Sequence, residues 1–265
     1  MKPSLGAVSF LNSRPLTISL EPPNDFFDLS YDLPSVCAAR LQAGEVDLGL
    51  IPAIEYARSP MPYAIVPQVA VGCCGAVLSV RLFYQGSFKN IRRVALDTSS
   101  RTSVALLQIL LRGHFGMDPQ MVAAAPDLDA MLASADAALL IGDPVFSAMD
   151  QGVPSVDLGQ AWMEFTGLPF VFAFWAGRQD VLTPDQVRRL AQARVQGAQR
   201  IGEIARDFSA ESGGDAAFYE RYLRDYICFD LGDAEIAGLK RFYALAAQQG
   251  LIQAEPALRF YSLVE

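Results

Sequence analysis

The run Asp97-Thr98-Ser99-Ser100-Arg101-Thr102-Ser103 carries the densest polar chemistry in the chain. It follows a β-like stretch at residues 92–96 and opens an apolar helix predicted over residues 101–115. The first turn of a helix leaves backbone N–H groups without partners at the positive end of the helix dipole, so such a junction binds anions. Hydroxyls add donors, and the Arg101 guanidinium offers a planar fork matched to a carboxylate. Simple capping by Thr98 or Ser99 is the ordinary alternative. Capping uses one hydroxyl, whereas five Ser and Thr residues occupy positions 98–103. That excess favours an anion site drawn from Thr98, Ser99, Ser100, Arg101 and Thr102.

A second polar group, Asn12-Ser13-Arg14-Pro15, follows the β-like stretch at residues 5–10. Asn12 can donate and accept, Ser13 brings a hydroxyl and Arg14 a charge; the same residues equally make an ordinary turn. A third, Gly142-Asp143-Pro144, follows residues 137–141. Gly142 permits close backbone approach, and Asp143 either caps the next helix or accepts from a ligand hydroxyl. Ser79 is an isolated hydroxyl in an apolar stretch, satisfied locally or facing a cleft. His114 is the only histidine. It sits roughly 20 Å from the start of its helix at ~1.5 Å per residue, which removes serine-triad, Cys-His and histidine-base chemistry. Cys37, Cys73, Cys74 and Cys228 lack zinc-ligand spacing and read as reduced thiols. No glycine-rich nucleotide loop follows a strand.

These groups need a scaffold. The first third alternates strands at residues 5–10, 29–33 and 46–51 with helices, one opened by Pro34-Ser35 and stopped by Gly44, the next begun at Pro52. That rhythm predicts a parallel sheet with ligands at its carboxyl edge. Long β-like stretches at residues 63–71 and 76–84 follow, and the rhythm then restarts from residue 92 to a helix at 144–150. Residues 169–176 are again β-like, and beyond Thr183 the chain is mainly helical, with runs to residue 208 and over 233–249. The expectation is a two-lobed α/β fold with hinge strands and a central cleft, leaving the first lobe on residues 76–84 and returning on 169–176. Lobe I then comprises residues 1–86 and 172–265, and lobe II residues 87–171. One continuous sheet is the competing arrangement.

Of 265 residues, 52% are hydrophobic, which excludes a disordered chain. The charge is 21 minus 29, or −8, and no basic cluster follows a phosphate backbone, so nucleic acid is not an expected partner. No apolar run reaches the ~18–20 residues of a membrane span. The start, Met1-Lys2-Pro3-Ser4, has no apolar signal region, and a cytoplasmic location is expected.

Several segments, taken in order, resemble the chorismate dehydratase family of the futalosine route to menaquinone. They are Val8-Ser9-Phe10-Leu11-Asn12-Ser13-Arg14-Pro15-Leu16, Asp32-Leu33-Pro34-Ser35, and Gly44-Glu45-Val46-Asp47-Leu48-Gly49-Leu50-Ile51-Pro52. Leu96 through Ser103, Leu140-Ile141-Gly142-Asp143-Pro144, Asp157 through Trp162 and Phe165 through Phe170 continue the likeness. It spans the chain to about Arg178 and weakens in the helical tail. The resemblance implies a periplasmic-binding-protein-like (type II) fold and a lyase that removes water from chorismate to give 3-[(1-carboxyvinyl)oxy]benzoate. No metal or organic cofactor is expected. Asn12 and Ser79 would orient the reacting region. Ser13, Arg14, Pro52, Thr98, Ser99, Ser100, Arg101, Thr102, Gly142 and Asp143 would contact the substrate, and a substrate carboxylate would take the proton. Dihydroxynaphthoate synthase shares the architecture but relies on a Cys-Pro-Asn-Asp turn and a histidine. This chain has Phe10-Leu11-Asn12-Ser13 at that turn. The alternative from another class is an intracellular binding or sensing protein for a small aromatic or dicarboxylate ligand.

Overall fold

The computed structural model describes residues 2–264. Two sheets divide the chain. The first contains β1 (Ser4–Val8), β2 (Asp28–Asp32), β3 (Leu48–Pro52), β4 (Tyr63–Ile65), β5 (Val71–Cys73) and β11 (Phe170–Arg178). Its order is β2-β1-β3-β11-β4, with β5 also on β11. The second contains β6 (Val80–Tyr84), β7 (Arg93–Asp97), β8 (Gln120–Ala124), β9 (Ala137–Ile141) and β10 (Ser155–Asp157), in the order β10-β6-β9-β7-β8. In each, three strands run parallel (β1, β2 and β3; β7, β8 and β9) and the long-range connectors are antiparallel. This is the two-lobed arrangement expected of the βα rhythm, and the single-sheet alternative is excluded.

Helices cover the parallel strands. The first lobe carries the short α1 (Arg14–Thr17), α2 (Pro34–Ala43) and α3 (Ala53–Arg58); the second carries α4 (Arg101–Gly113), α5 (Leu128–Ser134), α6 (Pro144–Met149) and α7 (Leu158–Thr166). Proline at the first turn starts α2, and Gly44, at φ +73°, ends it in the left-handed conformation that glycine adopts without a Cβ penalty. The tail forms α8 (Pro184–Gln199), α9 (Ile201–Ser212), α10 (Ala216–Arg221), a five-residue π-helical turn at Tyr222–Tyr226, and α11 (Asp233–Gln248). Thr183 and Gln186 form the capping box of α8. The single helix expected from Thr183 to residue 208 is instead two, divided at Arg200. Among the described residues no helix is long and apolar enough to cross a membrane.

The crossings between sheets differ from expectation. Residues 76–84 do not form one strand ending the first lobe. Leu78 adopts φ +61°, and the Asp157 carboxylate accepts from the Val77 and Leu78 amides at 3.0 and 2.8 Å. This turn redirects the chain, so β6 pairs antiparallel with β9 and β10 in the second sheet. Residues 80–86 therefore go with the second sheet, not with the first as the boundary at 86 had them. The return falls at 167–169, because β11 already pairs with β5 from Phe170. The long stretch at 63–71 is likewise two short strands, interrupted near Gln68 at φ +66°.

Candidate active site

The carboxyl ends of β1, β3, β7 and β9 converge on a narrow cleft of about 40 Å³ between the sheets, where open α/β sheets place ligands. Its middle is apolar: Phe10, Leu50, Val77, Ile141 and Phe172 form walls suited to a carbocyclic ring. Polar groups stand at its edges. Asn12 faces it from the turn after β1, and the hydroxyls of Ser100 and Ser103, 3.2 Å apart, face it from the first turn of α4. Ser100 and Ser103 share one side of the helix because they are three residues apart. No side chain caps α4, so its first-turn amides keep their donor capacity beside the cavity. In contrast α5, α7, α8 and α10 each carry an Asp or Thr cap. The start of α4 is thus not occupied by a capping side chain.

The expected site residues divide into those that reach this cavity and those that do not. Asn12, Ser13, Pro52, Ser100 and Gly142 line it. Ser13 gives its hydroxyl to the Val8 and Phe10 carbonyls, so it shapes the turn and offers little to a ligand. Gly142 sits at φ +75°, and a Cβ there would lie 2.8 Å from the Phe10 ring; its role is to let the two lobes meet.

The arginines are engaged elsewhere. Arg14 pairs with Glu211 at 2.5 Å and its guanidinium lies 5.0 Å from the Phe208 ring centroid, while Arg101 pairs with Glu55 at 2.7 Å. Neither lines the cavity, which corrects the expectation of an arginine fork there. Thr98 is exposed and outside it. Ser99, Thr102 and Asp143 also fall outside, for a shared reason. The Ser99 carbonyl accepts from Ser35 N–H at 2.9 Å, Thr102 Oγ1 from Ile54 N–H at 3.0 Å, and the Asp143 carboxylate from Leu11 N–H at 3.1 Å. Each recipient lies at the start of a first-lobe helix or 3₁₀ turn whose own cap position, Leu33, Pro52 or Phe10, makes no capping bond. The second lobe therefore supplies caps to the first across the cleft. Burial pushes the Asp143 carboxyl up to about 6, against the opposing effects of the Leu11 amide and the Arg14 charge.

Ser79 is fully buried and stands behind the lining residues Val77 and Val80. Its Oγ accepts from the Tyr222 hydroxyl at 2.8 Å. No lining residue carries a carboxylate, imidazole or amine. Asp97, at the end of β7, is buried with its pKa raised by desolvation, and its carboxylate accepts from Ser99 N–H at 2.9 Å. His114 packs against Phe115 and Phe165 at the far end of α4, as its distance along the helix implied. Sequence reasoning missed Ser103 as part of the lining, which the helical spacing from Ser100 could have found.

Residues 3–248 match the protein family described as menaquinone biosynthesis. The chain belongs to this family. A relative, the chorismate dehydratase of Thermus thermophilus, is 32% identical over 256 residues, covering 90% of this chain and 93% of its own. Among solved structures, a protein from Archaeoglobus fulgidus superposes with a TM-score of 0.78 at 19% identity, over 95% of this chain and 98% of the other. The periplasmic aliphatic sulphonate binding protein of Escherichia coli does so with a TM-score of 0.66 at 17% identity, over 100% and 95%. These likenesses establish a periplasmic-binding-protein-like fold for this member of the menaquinone biosynthesis family.

Proposed function

We propose that this chain dehydrates chorismate to 3-[(1-carboxyvinyl)oxy]benzoate. The observation that carries the reading is the make-up of the cleft: apolar walls for a ring, uncapped helix amides with two serines at one edge and an asparagine at another, in a chain of the menaquinone biosynthesis family. Chorismate is a small dianion with a cyclic body. Its charge falls on neutral donors, the α4 amides and the Ser100 and Ser103 hydroxyls, because both candidate arginines are paired outside.

The reaction removes the C–H of the ring carbon bearing the ether and the hydroxyl of its neighbour. The C–H electron pair becomes ring π-bond, the C–O bond breaks, and the proton and hydroxide leave as water. Aromatisation makes the overall step downhill, so the protein's task is orientation and somewhere for the proton. The lining offers no protein base, which supports one of the substrate's own carboxylates as proton acceptor. Asn12 orients the reacting edge. Arg14, Thr98, Ser99, Arg101, Thr102 and Asp143 drop out of direct substrate contact in this reading.

The test is incubation of the purified protein with chorismate, followed by chromatography for the benzoate product. Asn12→Ala should lower turnover about ten-fold or more. Thermal stabilisation by chorismate without product would replace this reading with that of a binding protein.

A further inference from the structure

The stretch Asp157 through Trp162 is one of the motifs that carry the family resemblance, yet none of its side chains lines the cleft. Asp157 stands between β10 and α7, and its carboxylate gathers four partners from three segments. It caps α7 through Gln160 N–H at 3.1 Å and faces the Arg81 guanidinium of β6 at 3.6 Å. The other two partners are the amides of Val77 and Leu78, at 3.0 and 2.8 Å, which lie 80 and 79 positions away in sequence. Helix capping needs only the first of the four. A carboxylate accepts at about four sites on two oxygens, whereas an asparagine offers one oxygen.

The two distant amides belong to the segment that crosses from the first sheet to the second. Leu78 holds φ +61°, the left-handed region in which any side chain larger than glycine's is strained. Such a turn persists where its surroundings hold it, and here the Asp157 carboxylate takes both of its amides. The start of α7 is fitted to the same segment: a Cβ on Gly159 would lie 2.5 Å from the Gly75 carbonyl oxygen and 2.7 Å from Cys73 Sγ. What the turn places is a wall of the cleft. Val77 and Val80, on either side of it, are lining residues. Between them the Ser79 carbonyl accepts from Gly142 N–H at 2.8 Å and so ties down a third.

We infer that Asp157 is a positioning residue for substrate binding: its carboxylate holds the left-handed turn at Leu78 and thereby sets the wall of Val77, Val80 and Gly142 against the substrate. The inference rests on the dehydratase reading above. Asp157 does not itself line the cleft, and its effect passes through the turn.

Asp157→Asn keeps the size of the side chain and removes the charge and one acceptor oxygen. The expected result is a KM for chorismate raised about ten-fold with kcat within about three-fold, because an apolar wall holds the ring equally in the ground and transition states. Leu78→Gly forms the same turn without a Cβ penalty and by itself should leave KM within about two-fold. Added to Asp157→Asn, it should return KM to within about three-fold of wild type, since the two residues act through one turn and their effects do not add. A role confined to capping α7 lowers Tm and is not rescued at Leu78. An unchanged KM in Asp157→Asn, or a double variant whose KM stays as high as that of the single, overturns the inference. Should Asp157→Asn alone not fold, the double variant should fold and show a near wild-type KM, and its failure to do so overturns the inference too. With an active wild type these outcomes defeat this inference alone; a wild type that forms no product defeats the dehydratase reading and this inference with it.

Discussion

Replacing Asp143 by Asn should stabilise the protein at neutral pH, and by an amount that depends on pH in one direction only. The carboxyl has a pKa of about 6 in the folded protein against an ordinary value of 3.8, with burial the largest cause. A raised carboxyl pKa means the charged form is disfavoured in the folded state. Above about 6 that cost is present in full; it falls as pH drops through 6 and vanishes below the unfolded value. The interval corresponds to about 3 kcal/mol at most, and solvent that still reaches the part-exposed side chain reduces this to about 1–2 kcal/mol. Asparagine removes the charge while its Oδ1 can still accept from Leu11 N–H, so the cap across the cleft survives. Thermal unfolding of both proteins from pH 7.5 to pH 4.5 measures the difference. Asp143→Asn should have the higher Tm at pH 7.5, by about 2–6 °C, with the gap closing toward pH 4.5. A variant less stable at pH 7.5, or a gap that does not change with pH, refutes the account of Asp143 as a buried charge in a clasp.

Replacing Ser100 and Ser103 together by Ala should raise the KM for chorismate about ten-fold with kcat changed far less, since the proposed reading gives these two lining hydroxyls a carboxylate and not the reacting carbons. Gly142→Ala should cost about 1–3 kcal/mol in chemical denaturation, because it combines a left-handed backbone with a Cβ against the Phe10 ring. Arg101→Gln should leave KM within about two-fold and stability within about 1 kcal/mol, as expected for an exposed ion pair with Glu55; a large KM effect would restore the arginine to the substrate site.

What could be read beforehand was local. The proline start and glycine stop of α2, the capping box at Thr183 and the strand-to-helix turns carrying Asn12, Ser100 and Gly142 all depend on residues within one or two turns of each other. The outgoing crossing was misread because hydrophobicity alone does not distinguish a strand from a strand broken at Leu78, whose turn is held by Asp157 about eighty residues away. Arg14 and Arg101 were placed on the substrate because an unpaired cation in a polar motif suits an anion. Their partners, Glu211 in α9 and Glu55 in α3, are visible only in the fold. Tyr222 meets Ser79 from a π-helical turn 143 positions further along the chain, and no periodicity reports such a meeting.

The hydroxyl-rich motif does more than cap a helix. Ser100 and Ser103, three positions apart on one helix face, turn to the cavity; the Thr102 hydroxyl and the Ser99 backbone carbonyl, just ahead of the helix, meet the first-lobe amides of Ile54 and Ser35. One helix start therefore does two jobs. Its own uncapped amides face the space for an anion, and its neighbouring oxygens complete helix starts at Leu33 and Pro52 that have no caps of their own. Those two bonds join the lobes at the same helix start that borders the cleft. Asp143 adds a third, to Leu11, which buries a charge at neutral pH. Asp143→Asn, by removing that charge and keeping the acceptor, tests how much this third bond costs.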